Sequence, residues 1–169
     1  MSTQIKNLKF LVALLEANSM TKVELARIMG KSPQNIFKYF QLDDMKLSFA
    51  QEIADKMGYQ LSFRLDSPDK PQENVSIEVE QLIKSTPGAQ LSVKRMSFLR
   101  LAMSIYDMDR KTIADKLGLA PAAVTRWFAV DDIYVSYIFK IAETYGLHVS
   151  VKADVKKIVV DPRNSFELN

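Results

Sequence analysis

The sequence predicts a mainly α protein with small β additions, an α+β fold of two helical units, each followed by a short antiparallel β-hairpin. Three observations lead there. The first is an internal repeat: residues 20–65 shifted forward by 88 positions lie on residues 108–153 without a gap, and twelve pairs are identical. They include Ala26/Ala114, Gly30/Gly118, Pro33/Pro121, Phe40/Phe128, Asp44/Asp132, Ser48/Ser136 and Gly58/Gly146. Chance would give roughly three, at average residue frequencies of about 5–7%. The second is helical spacing of apolar residues through most of each copy, and the third is a switch to strict alternation after each closing glycine.

The helices follow in order. Ile5, Leu8, Leu11, Val12 and Leu15 recur on one face in the first copy, and Phe98, Leu99, Ala102, Met103 and Tyr106 do so in the second. Thr21-Lys-Val-Glu24 is a capping box in which side chain and backbone satisfy each other's exposed N–H groups. Asp109 takes the cap position in the second copy. These second helices stop at Gly30 and Gly118, where a left-handed backbone costs little. Pro33 and Pro121 suit the first position of a third helix, because an N–H there would have no partner. Ser32 is a good cap before Pro33 and Ala120 a poor one. Third helices run through Phe40 and Phe128. The pairs Asp43-Asp44 and Asp131-Asp132 are expected to cap fourth helices that end at Gly58 and Gly146.

Tyr59–Leu65 and Leu147–Ala153 then read as strands with one apolar face. Val75–Val79 and Lys157–Val160 are the expected hairpin partners, the second reached through a tight turn near Ala153-Asp154. The polar stretch 66–74, with Pro68 and Pro71, is a loop; 85–90 holds the break between units; the tail beyond Pro162 is expected to fray. The domain division expected is 1–85 and 86–169.

Composition narrows the function classes. Without cysteine there is no disulfide scaffold, thiol nucleophile or thiolate metal site. No apolar run is long enough to span a membrane, and Met1-Ser-Thr-Gln does not open a secretory signal, so a cytoplasmic protein is expected. Net charge is +3 over residues 1–65, −3 over 66–92 and +3 over 93–169. Two basic lobes around an acidic connector suit a polyanionic partner. His148, the only histidine, has no acid or nucleophile pattern nearby. No phosphate loop, metal-ligand cluster or triad spacing occurs, so no enzyme activity, metal or cofactor is expected.

Lys22–Phe40 and Arg110–Phe128 each have the spacing of a helix-turn-helix. A small residue, Ala26 or Ala114, lets the two helices cross closely, and a glycine makes the turn. An aliphatic residue, Ile36 or Val124, plugs the core from the second helix. With this spacing, with Thr125-Arg126-Trp127, and with fourth helices ending Ile53–Gly58 and Ile141–Gly146, the chain resembles the Cro and lambda-repressor-like family of DNA-binding domains. The resemblance covers most of residues 5–58 and 93–146, outside the strands and connector. The chain departs from the family at Lys22 and Arg110, where glutamine is frequent, and at Phe40 and Phe128, where glutamate or glycine is. The first change keeps a phosphate contact in place; the second suggests extra packing against the strands.

The resemblance implies that the second helix of each motif enters the major groove of double-stranded DNA. By position, the reading residues of the first copy are Ser32, Gln34, Asn35, Phe37 and Lys38. Those of the second are Ala120, Ala122, Ala123, Thr125 and Arg126. Gln34 and Asn35 suit adenine, Lys38 guanine or phosphate, and the alanines thymine methyl groups. Lys22, Lys31, Arg110 and Lys111 fall where phosphate contacts would lie. Tyr39 and Trp127 face the core by period. The reading is a prokaryotic or phage transcriptional regulator acting as a pseudo-dimer within one chain, on an asymmetric or degenerate operator. Strand edges would allow a further homodimer. The alternative is a protein–protein interaction module, antitoxin-like or a phage accessory protein, that keeps helix-turn-helix units as a scaffold.

Overall fold

The computed structural model describes residues 4–69 and 94–156. In that part the chain forms α1 (Lys9–Ala17), α2 (Lys22–Ile28), α3 (Pro33–Leu42), α4 (Leu47–Lys56) and β1 (Tyr59–Asp66). It then forms α5 (Ser97–Ile105), α6 (Arg110–Leu117), α7 (Pro121–Val130), α8 (Val135–Tyr145) and β2 (His148–Val155). The architecture is thus mainly helical with a small two-stranded antiparallel sheet, and each element of the first half recurs 88 or 89 positions later.

Local sequence explains the element ends. Thr21 and Glu24 form the reciprocal capping box of α2, and Asp109 accepts the Thr112 N–H at the start of α6. Ser32 caps α3 by accepting the Asn35 N–H, while Ala120 leaves α7 without a side-chain cap. Gly118 ends α6 at φ 69°, a conformation that a Cβ would strain.

These caps make stability depend on acid. Thr21 holds the Glu24 carboxyl below its ordinary value, chiefly through its backbone N–H and then its hydroxyl. Thr112 does the same for Asp109, first through its backbone N–H, then through its hydroxyl. A carboxyl lowered by folding stabilises the native state above its unfolded pKa, and that contribution fades as pH falls through the folded value. In Thr112→Val, which keeps the backbone donor but removes the hydroxyl, Asp109 is expected to titrate higher than in the parent. A carboxyl-carbon NMR titration measures this; an unmoved midpoint would rule out the hydroxyl's part.

The aspartate pairs do not cap as the sequence suggests. Asp43 and Asp131 are the left-handed C-caps of α3 and α7, at φ 52° and 55°. From there the Asp43 carboxylate accepts the Lys6, Asn7 and Leu8 N–H groups ahead of α1. Asp131 accepts those of Arg95 and Met96 ahead of α5. Asp44 and Asp132 cap fourth helices, but in the opposite half. Asp132 accepts the Ser48 N–H at 3.0 Å and its hydroxyl at 2.5 Å. Asp44 accepts the Ser136 N–H at 2.9 Å and its hydroxyl at 2.7 Å. Lys46 and Tyr134, the N-cap residues of α4 and α8, make no side-chain cap bond. An exposed N–H donates to any carboxylate that docking brings within reach, and spacing along the chain does not reveal a cap supplied from elsewhere.

The same exchange runs through the backbone. Leu47 N–H donates to the Ile133 carbonyl at 2.8 Å and Val135 N–H to the Met45 carbonyl at 2.9 Å, so Lys46 forms an antiparallel bridge with Tyr134. β1 pairs with β2 antiparallel, Phe63 opposite Val151. Lys46/Tyr134 and Phe63/Val151 are both counterparts 88 positions apart. Antiparallel pairing of equivalent residues places a local twofold between them, so one pseudo-twofold accounts for both junctions. Phe63 lies beside it, with the equivalent rings Phe10 and Phe98 at 5.3 and 6.0 Å.

β1 therefore takes its strand partner from the other half along one edge. The expected partners Val75–Val79 and Lys157–Val160 lie outside the described residues, as do most of the connector loop, the break at 85–90 with the 85/86 boundary, and the tail past Pro162. The tight turn expected near Ala153-Asp154 is absent: β2 continues to Val155 because Tyr59, Gln60 and Leu61 offer it paired backbone. Leu61, Phe63 and Leu65 turn their side chains inward, into one continuous apolar cluster that draws on both halves. Among the described residues no helix is long and apolar enough to cross a membrane.

Candidate nucleic-acid interface

α2 and α3, like α6 and α7, are two short helices joined by a turn, with Ala26 and Ile36, or Ala114 and Val124, buried between them. Burying Ile36 and Phe40 fixes the rotation of α3 and leaves Gln34, Asn35, Phe37 and Lys38 exposed on the far face. Val124, Trp127 and Phe128 do the same for α7, exposing Ala122, Thr125 and Arg126, with Ala123 half-buried. Among the described residues, neither outer face is covered by the opposite half or by the sheet. Ser32 is exposed but its hydroxyl already serves as the cap of α3.

The flanking cations divide in two. Lys22 sits 4.7 Å from the centre of the Phe40 ring, and its counterpart Arg110 4.6 Å from Phe128, where Arg100 also lies at 4.7 Å. Lys31 lies 5.3 Å from the Phe49 ring. A cation over a ring face gains about 0.5–1 kcal/mol and stays charged, so each is held in place yet able to meet an anion. Phe40 and Phe128 thus act as platforms for the α2 and α6 cations. Lys111 is exposed and Ala120 stands at the α7 cap.

Tyr39 is half-buried against Phe49, ring centres 4.9 Å apart, and Trp127 is buried against Tyr137 at 5.2 Å. Sequence reasoning missed Lys46, Tyr134 and Arg100. Lys46 and Tyr134 are exposed at the pseudo-twofold. There a hollow is lined by Lys46 of the first half and, in the second, by Tyr134 and by Ala123, Arg126 and Val130 of α7. The twofold therefore emerges beside the outer face of α7 and, by the repeat, beside that of α3. The signal available in the sequence was the unlike pair lysine/tyrosine at one repeat position.

Leu42 and Val130, again counterparts, end α3 and α7 with 64% and 54% of their surface exposed. Together with Phe37 and Tyr134 they give this side an apolar element that a purely phosphate-binding surface does not need. Comparison with family models, with curated proteins and with solved structures returned no match.

Proposed function

We propose that the chain is a sequence-specific double-stranded DNA-binding protein, a prokaryotic or phage transcriptional regulator whose two helix-turn-helix units act as a pseudo-dimer within one polypeptide. The observation that carries this reading is the pair of outward helices, α3 and α7, set on either side of a pseudo-twofold that emerges at Lys46 and Tyr134. Twofold-related reading helices match the way successive major grooves present themselves on one side of a duplex, one helical turn apart. α3 offers base-reading groups in Gln34, Asn35 and Lys38; α7 offers Thr125 and Arg126 among alanines. Unlike reading faces imply an operator with unlike half-sites.

Selection of bound sequences from random duplex DNA, followed by salt titration of the winner, tests the proposal. Log affinity should fall against log salt with a slope of about −0.9 per phosphate neutralised. On the selected operator, Gln34→Ala and Asn35→Ala should each lose about 1–3 kcal/mol and relax preference at their own base pairs. Lys22→Ala should weaken binding to all sequences alike. Retention of no duplex at low salt removes the proposal.

A second reading is favoured by one observation. The α7 face and its end, with Ala122, Ala129 and the exposed Val130, are poor in hydrogen-bonding groups. As a protein-interaction surface this face would bind its partner with little dependence on salt.

A further inference from the structure

We propose that the hollow beside α7 is a binding site for a small anion built on a planar ring. Its volume is about 380 Å³, within the range of small-molecule sites. The wall holds Trp127, 8% exposed, and the half-buried Tyr137, whose rings lie 5.2 Å apart at 39°, and the half-exposed ring of Tyr134, the most open of the three. Such a surface favours a flat apolar body over a flexible chain. Two cations complete it. Lys46 and Arg126 both line the hollow and are exposed, and neither forms an ion pair among the described residues. The one carboxylate in the wall, Asp132, is already engaged by the Ser48 N–H and hydroxyl and by the Ile133 N–H. The unspent charge of the site is positive, and the complementary ligand joins an aromatic ring to one carboxylate or phosphate.

Lys46 comes from the first half and the other groups from the second, so the site is assembled by docking of the two halves. Its counterpart on α3 is smaller, about 210 Å³, and has Tyr39 where this one has Trp127. The two outer faces therefore differ in small-molecule chemistry as well as in reading groups. Arg126 belongs to both the hollow and the proposed reading face, so an occupant would compete with DNA at α7. Binding itself does not depend on the DNA reading and is measured without DNA.

Trp127 is the only tryptophan, so its emission reports occupancy in the full chain. Benzoate and thymidine monophosphate are titrated as probes, with benzyl alcohol and inorganic phosphate as controls. The expected result is a saturable change with at least one anionic ring compound. Both controls, and the variants Lys46→Gln and Arg126→Gln, should each be weaker by about tenfold or more, as loss of a charge-assisted hydrogen bond implies. Response to benzoate assigns the site to aromatic carboxylates, and response to the mononucleotide alone assigns it to nucleotides. No saturable change with either probe, equal response to a control, or undiminished response in both variants overturns the proposal. Thermal melts of the two variants, whose replaced side chains are exposed, establish that they fold.

Discussion

Leu47→Ala is expected to destabilise the whole chain by about 2–5 kcal/mol, the range for removing a fully buried leucine. Leu47 opens α4 with none of its surface exposed, and its N–H donates to the Ile133 carbonyl across the pseudo-twofold. Alanine favours the helix as much as leucine does, so the loss is one of packing and falls at the junction of the halves. Small domains hold only about 5–15 kcal/mol in total, so the change is large. Urea denaturation should show a lower midpoint with an unchanged slope. Leu42→Ala, at a residue 64% exposed, serves as the control and should stay within about 0.5 kcal/mol of the parent. Equal effects of the two substitutions would show that the junction is not packed as described.

Loss of both exchanged caps is the second large effect. Asp44→Ala and Asp132→Ala should each cost about 1–3 kcal/mol, because each leaves backbone and hydroxyl donors of the opposite half without their charged acceptor. Coupling decides the geometry. Asp132 with Ser48, and Asp44 with Ser136, should show coupling energies of about 0.5–3 kcal/mol in double-mutant cycles. Asp132 with Ser136, in the same half, should be close to additive. Coupling within a half and none between halves would restore the ordinary capping arrangement and dismiss the exchange.

The helices were legible because their determinants are local. Thr21 and Glu24, Ser32 with Pro33, and Gly118 act within a turn of their own backbone, and apolar spacing marks the buried side of each helix. The residues Gln34, Asn35, Lys38 and Arg126 were singled out by the resemblance, and burial of Ile36 and Val124 sets the rotation of α3 and α7 that leaves them exposed. What depends on docking was not legible. Asp44 and Asp132 looked like caps and are caps, but which helix they serve is fixed by a contact between residues 84 to 92 positions apart. Alternation identified β1 and β2 as strands, but each was expected to pair with its own hairpin partner and not with the other, and β2 outran its expected turn because it pairs with β1. Phe40 and Phe128 stood out as departures, yet their service under Lys22 and Arg110 appears only once α2 and α6 are placed.

Asp44, Ser48 and their counterparts are the same residue types in both halves, whereas α3 and α7 carry different outer side chains. In an assembly of identical subunits any substitution is written twice. Here one codon alters one outer surface and leaves the seam untouched. Each surface can thus drift toward its own ligand while the shared joint keeps both in register.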